Sequence, residues 1–491
     1  MGLLIDRSDF TPDDFTAFKS RLERNLSSLA MLLQTPGFGA GPATFGAELE
    51  MYLVDQAGQP LHANREIHAA AQDPQLTLEL NRYNLEYNLT PRRLDAHALA
   101  GTEREIVARL QTLRELAAVH GGRVVPIGIL PTLQERDFGA ACVTDLPRYH
   151  VLVEQLIQRR GSDFRIDING ADPLRLDMAD ITLEGANTSF QVHYRVAPDA
   201  FADTFNTLQL VTPLALAIGA NSPSLFGHAL WQETRIPLFK QSIDIRQRDR
   251  YSWSEPARVN FGRGWVRRSA FELFEEAVRL YYPLIPVSAE DGPEAAGPAP
   301  DLHELRLHLS TVWMWNRPVY DPVAGGHLRI EMRALPAGPT AVDMVANAAL
   351  LVGLAEGLRG GIDRLLPSIP FPIAEYNFYR AAQHGLQAKL VWPRSDQYRL
   401  REQPVAEIIH QLLPVAREGL VALGVSAAEI DYYLGIIEKR LRLGRTAADW
   451  QLQAWRRLQE NRRSQHALHA MLDAFMAHSE QNLPIAEWPL P

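Results

Sequence analysis

Glu48 and Glu50 alternate with Phe45, Ala47, Leu49, Met51 and Leu53 in the run FGAELEMYLV. A strand here places the apolar residues on one face and both carboxylates, with Tyr52, on the other. The same alternation returns three times. In NLEYNL, Asn84, Glu86 and Asn88 oppose Leu85, Tyr87 and Leu89. In TSFQVHYRV, Gln191, His193 and Arg195 oppose Phe190, Val192, Tyr194 and Val196. In HLRIEMR, Arg329, Glu331 and Arg333 oppose Leu328, Ile330 and Met332. Each run alone reads as a half-buried antiparallel strand with a solvated polar face. Two carboxylates at i and i+2, however, stand about 6.5–7 Å apart on one face, and at an effective dielectric of roughly 20 they repel by about 2 kcal/mol. Water and salt screen that repulsion on an open surface, whereas in a concave cleft a cation must compensate it.

If the four polar faces converge, Glu48, Glu50, Glu86, His193 and Glu331 form a trough of oxygen ligands with one imidazole, a set suited to Mg²⁺ or Mn²⁺ rather than structural zinc. Arg333 would then offer a fixed cation to phosphate oxygens. Glu79, in LTLEL, alternates out of an apolar face as well and is the weaker candidate. Carboxylates for a divalent ion and arginine for phosphate point to phosphoryl chemistry on a nucleotide. It would be achieved without a P-loop, since the chain contains no Gly-Lys dipeptide. HExxH, GxSxG and GxGxxG are also absent. His303 and His308 are five residues apart and fall on different sides of a helix, which favours structural roles.

The elements that must position these residues are strands interspersed with helices. Phe18, Leu22, Leu26 and Leu29 recur at helical spacing and predict an opening amphipathic helix. A second helix fits 97–120, closed by Gly121 and Gly122, with RVVPIGIL as a strand after it. From Thr340 to about Asn482 the pattern is helical nearly throughout. The fold class is therefore α+β with a helical C-terminal third. It divides into an N-terminal helix and loop (1–40), a catalytic core (41–400) and a C-terminal helical region packed on that core (401–491). The Ala-, Gly-, Pro- and acid-rich segment 288–301 reads as a mobile surface insertion. Asn221-Ser222-Pro223 has the look of a helix start, and Asp449 and Trp450 read as structural.

With 491 residues, 46% of them hydrophobic, the chain has ample material for a large core. A net charge of −9 gives no support for a nucleic-acid or anionic-membrane partner. The basic runs Arg440–Arg445 and Arg456–Arg463 read as solvated helix faces. The apolar stretches around 208–220 and 344–358 are expected to fall short of a membrane span. A single cysteine, Cys142, and an N-terminus unlike a secretory signal lead to the expectation of a cytoplasmic protein.

Taken in order, FGAELEMYLVD, ELNRYNLEYNLTP, NTSFQVHYRV, ANSPSLFG followed by Arg235, HLRIEMR, NFYRAAQHGLQAKLVW and GRTAADWQ resemble glutamate–cysteine ligase family 2, carboxylate–amine ligases related to glutamine synthetase. The resemblance implies a strongly curved antiparallel sheet whose concave face is an active-site funnel surrounded by helices. It also implies ATP-dependent formation of a γ-glutamyl amide through an acyl phosphate, with glutamate or a similar carboxylate and an amine such as cysteine as substrates, as in glutathione biosynthesis. By the same resemblance Glu50 and Glu86 would hold one Mg²⁺ (or Mn²⁺), and Glu48, His193 and Glu331 a second. Arg333 would stabilise the transferred phosphoryl group, and Arg235 would bind phosphate or the substrate carboxylate. A catalytically silent relative that binds nucleotide or amino acid is the alternative, and a metal-dependent hydrolase is a third reading. Assembly as a homo-oligomer is left open.

Overall fold

The structure, a computed structural model, describes residues 5–246, 255–289, 299–393, 399–461 and 463–491. Most of the segment 288–301 therefore lies outside the described residues.

An eight-stranded antiparallel sheet, curled into a half-barrel, organises the molecule. Its strands are β1 (Thr44–Asp55), β2 (Leu76–Leu78), β3 (Asn84–Asn88), β4 (Arg92–Arg93), β5 (Gly122–Val125), β6 (Phe190–Val196), β7 (Asn316–Asp321) and β8 (His327–Met332). The order is β7-β8-β6-β1-β3-β2, and β4 and β5 pair with opposite ends of β1. At twelve residues β1 is long enough to serve all four partners. Of RVVPIGIL only the first half is strand; Pro126, which has no N–H to donate, follows it directly.

The apolar faces fall as the alternation predicts. Ala47, Leu49, Met51, Leu85, Val192, Ile330 and Met332 join one large buried cluster with residues of the helices α3 (Phe201–Gly219) and α5 (Ala341–Arg359). The opening helix α1 (Pro12–Leu32) begins with a capping box between Thr11 and Asp14 and buries Phe18, Leu22, Leu26, Leu29 and Leu32. The second predicted helix, α2, spans Ala98–Val119. Helix α4 (Arg235–Ser242) follows a loop that begins at Ala220.

Among the described residues beyond Thr340 the regular structure is helical apart from a hairpin of Lys389–Pro393 and Leu400–Pro404. Helices α6 (Val405–Ala422), α7 (Ala427–Leu443), α8 (Ala447–Gln459) and α9 (Ser464–Glu480) follow, and a short segment with Trp488 packs after them. Helix α5 is 19 residues long and apolar enough to cross a membrane by length and composition, contrary to the expectation from sequence. Its apolar window is 83% buried inside the molecule, which accounts for its composition. It crosses α6 at a point that admits no side chain, where a Cβ on Gly419 would stand 2.0 Å from the carbonyl oxygen of Gly353.

Arg440 corrects the reading of the first basic run as a solvated face. It is 1% exposed and bonded to Asp343 Oδ1 and Asn347 Oδ1, each at 2.6 Å, which ties α7 to α5.

Candidate active site on the inner face of the sheet

Register brings the distant polar residues side by side. Glu50 faces Glu86 across β1 and β3, Glu48 faces Gln191 across β1 and β6, and Glu331 faces His193 across β8 and β6. Because all the strands are antiparallel neighbours, these residues occupy one face, opposite the core. Glu48, Glu86, His193 and Glu331 are buried and Glu50 nearly so.

Each carboxylate has its own partners. Glu50 accepts from the Ser189 main-chain N–H at 2.7 Å and from Gln191 Nε2 at 2.6 Å. Gln191 Oε1 in turn accepts from Arg333, so one amide links a strand-β1 carboxylate to the arginine. Glu331 is clasped on both oxygens, by Arg333 on Oε1 and by Arg317 on Oε2 at 2.8 Å. Glu86 accepts from Thr77 and Asn88. His193 Nε2 lies 3.2 Å from Glu48 Oε1, while its Nδ1 accepts from Arg329 Nε at 3.0 Å, which puts the ring proton on the Nε2 side, toward Glu48.

Charge on this face is unevenly balanced. At Glu331 burial alone would raise the carboxyl, but Arg317 and then Arg333 outweigh it and hold it low. Toward β2 the opposite holds. Burial, followed by the charges of Glu48 and Glu50, pushes Glu86 up to about 7. Burial and then Glu50 push Glu184 up to about 7 against the pull of Arg333. Glu79 is raised by burial, Glu86, Glu50 and Glu184 together.

Glu50, Glu86 and their neighbours thus carry more negative charge than the nearby arginines neutralise, and their oxygen donors fit a hard divalent cation. Among the described residues no three His, Cys, Asp or Glu side chains surround a common point as a finished cage. Glu331 keeps a lone pair free on each oxygen beside its arginines, whereas His193 could ligate through Nε2 only by giving up the bond its Nδ1 accepts from Arg329.

Arg235 is engaged with the protein itself. It is 2% exposed, and its guanidinium donates to Glu233 Oε1 at 3.2 Å and to the carbonyl oxygens of Ala334 and Arg333. It holds the main chain of Arg333 in place. Asn221-Ser222-Pro223 begins no helix, although Ser222 Oγ accepts from the first N–H of α4, that of Arg235, at 3.3 Å. The Asn221 N–H and Ser222 Oγ donate to the two oxygens of buried Glu233, and Asn221 Oδ1 accepts from Gln451. Asn377 pairs through both side-chain atoms with the main chain of Val391, joining its helix to the hairpin. Asp449 completes a capping box with Thr446 at the start of α8. His308 is buried against the Ala277 carbonyl, a structural position.

Sequence reasoning missed Arg317, Gln191 as a bridge, and Glu184. Arg317 lies on β7, whose alternation is obscured by Pro318. Gln191 was visible as a member of the polar face. Glu184 sits in a 3-10 turn, Thr182–Ala186, where no periodicity marks it.

The family model described as glutamate–cysteine ligase family 2 matches residues 44–471. The chain belongs to that family, and with it is an ATP-dependent carbon–nitrogen ligase. A relative from Rubrobacter xylanophilus, provisionally named glutamate–cysteine ligase 2-3, is 25% identical over 393 residues, covering 78% of this chain and 86% of its own. Among solved structures, the glutamate–cysteine ligase of Francisella tularensis in complex with AMP superposes with a TM-score of 0.51 at 11% identity, covering 92% of this chain and 91% of its own. That likeness carries the fold.

Proposed function

We propose that this ligase uses ATP to activate the γ-carboxyl of glutamate, or of a similar carboxylate, as an acyl phosphate and passes the acyl group to an amine such as that of cysteine. The observation that carries the reading is the meeting of Glu48, Glu50, Glu86, His193, Glu331 and Arg333 on one buried sheet face from four separate stretches of sequence. A free carboxylate resists attack by an amine, whereas an acyl phosphate carries a good leaving group.

In this reading Glu50 and Glu86 would hold one Mg²⁺ or Mn²⁺, and Glu48, His193 and Glu331 a second. Bound there, divalent ions would neutralise the nucleotide phosphates. Arg333, fixed by Gln191 and Glu331, faces the charge that develops on the transferred phosphoryl group. Arg235 keeps the Arg333 main chain in register through its terminal nitrogens, while its buried Nε has no partner among the described residues and would be the donor left for phosphate or the substrate carboxylate. A chain of this family with one buried cysteine suits the cytoplasm.

Purified protein supplied with glutamate, L-cysteine, ATP and Mg²⁺ should release ADP and phosphate only when all four are present. Glu50→Gln should lower kcat/KM by about a hundredfold, the scale for removing one charge-organising group. Glutamate-independent ATP hydrolysis, or no turnover across a broad amine panel, would overturn the reading.

A further inference from the structure

Arg329 meets the acid row at its outer edge and has no part in the reading above. Its Nε donates to His193 Nδ1 at 3.0 Å, and its Nη1 donates to Asp321 Oδ2 at 2.5 Å. On the other side of the imidazole, His193 Nε2 lies 3.2 Å from Glu48 Oε1. Asp321, Arg329, His193 and Glu48 thus form a line from the rim of the face to its interior. The side chains of Arg329 and Asp321 are 25% and 24% exposed, those of His193 and Glu48 only 9% and 7%.

The direction of these bonds decides what His193 can do. A guanidinium has donors only, so the Nδ1 lone pair is taken and the ring proton sits on Nε2. An imidazole that holds a divalent ion through Nε2 needs the reverse, a bare Nε2 and an Nδ1–H that donates to a carboxylate, a carbonyl or water. While Arg329 is in place, neither ring nitrogen has a lone pair to offer. Arg329 is itself under strain of charge, because it stands opposite Arg195 across β8 and β6, and like charges so placed repel. Arg195 is drawn the other way by the Ala40 carbonyl at 2.9 Å.

We propose that Arg329 is a positioning residue that latches His193, withholding both ring nitrogens from a divalent ion and turning out to solvent when His193 becomes a ligand. This rests on the ligase reading above, in which His193 helps to hold the second ion. The ring stays neutral throughout: one proton leaves Nε2 for solvent and one is taken up at Nδ1. Arg329, a quarter exposed, has water to turn into, whereas His193 is enclosed, so the arginine moves and the ring keeps its place. The latch makes this the weaker of the two ion sites, and Glu50 with Glu86 fills first.

Two measurements test the latch. Nitrogen NMR of protein with isotope-labelled histidine, freed of divalent ions and assigned through His193→Asn, should show a bare Nδ1 and a protonated Nε2 at His193. Saturating Mg²⁺ should reverse the two. In a Mn²⁺ titration followed by EPR, Arg329→Gln, whose amide oxygen can accept from Nδ1–H, should bind the second ion about tenfold more tightly than the wild type. Arg195→Gln removes the same charge from the facing position without touching His193 and should change that affinity much less. Asp321→Asn keeps the bond its Oδ1 accepts from the Val323 N–H but loosens Arg329. It should shift the affinity in the same direction, and it serves alone if thermal melting shows that Arg329→Gln does not fold. A protonated Nδ1 in the ion-free protein overturns the proposal. So do equal gains from Arg329→Gln and Arg195→Gln, which would reduce Arg329 to a charge. Wild-type protein that has the expected tautomer, yet neither binds a second Mn²⁺ nor releases ADP with any amine, would instead defeat the ligase reading and the latch with it.

Discussion

The carboxyl groups at the β2 end of the site bind their protons more tightly in the folded chain than an exposed glutamate does. For Glu86 and Glu184, pushed up to about 7, this stabilises the fold while they are protonated. The contribution is complete below the ordinary carboxylate range and is lost as pH rises through about 7. Thermal unfolding without divalent ions should therefore show a melting temperature that declines between about pH 5 and pH 8. Millimolar Mg²⁺ should remove much of that decline by replacing the protons, and Glu86→Gln should flatten it. A melting temperature indifferent to both pH and Mg²⁺ would mean that the repulsion on this face is relieved by other means. At the opposite end Glu331 needs no such relief, because it already has an arginine on each oxygen.

Single elements differ in how much of their role could be read in sequence. Strands β1, β3, β6 and β8 are legible because a period of two residues survives in each; it puts Glu48, Glu50, Glu86, His193 and Glu331 on the polar side of their own strands, and the register of the sheet makes those sides one face. The hairpin of Lys389–Pro393 and Leu400–Pro404 carries no such signal within its helical surroundings. Asn221-Ser222-Pro223 looked like a cap because its real partners, Glu233 and Gln451, are remote in sequence. Arg440 looked solvated for the same reason, since Asp343 lies on another helix. Removing one member of that buried pair strands the other. Arg440→Met should destabilise the protein by about 3–5 kcal/mol in urea unfolding. A double variant that also replaces Asp343 by Leu should lose less than the two single changes summed. Strict additivity would show that the pair does not act as a unit.

Across the whole molecule, two buried clusters meet through β1, whose apolar face feeds one while Tyr52 and Val54 join the other. The second cluster also gathers Trp450, Phe475 and Trp488 from the C-terminal helices and the segment after them. The Trp488 ring packs edge-on against Trp450 and Phe475, each at 5.3 Å between centroids, and its Nε1 donates to the Leu483 carbonyl. Trp488→Ala should cost about 3–5 kcal/mol, read as a lowered unfolding midpoint. A change under about 1 kcal/mol would make this segment an ornament to the fold rather than part of it.

The central position of β1 also has a consequence for the growing polypeptide. Glu48 and Glu50 leave the ribosome early, whereas Arg317, Glu331 and Arg333 arrive only after most of the chain has been made. Until β7 and β8 join the row, Glu50 lacks Arg333, the stronger of the two arginine charges that act on it, and the acids of a partly built sheet repel one another. The last strands of the sheet to emerge are thus the ones that bring in the arginines bound to Glu331.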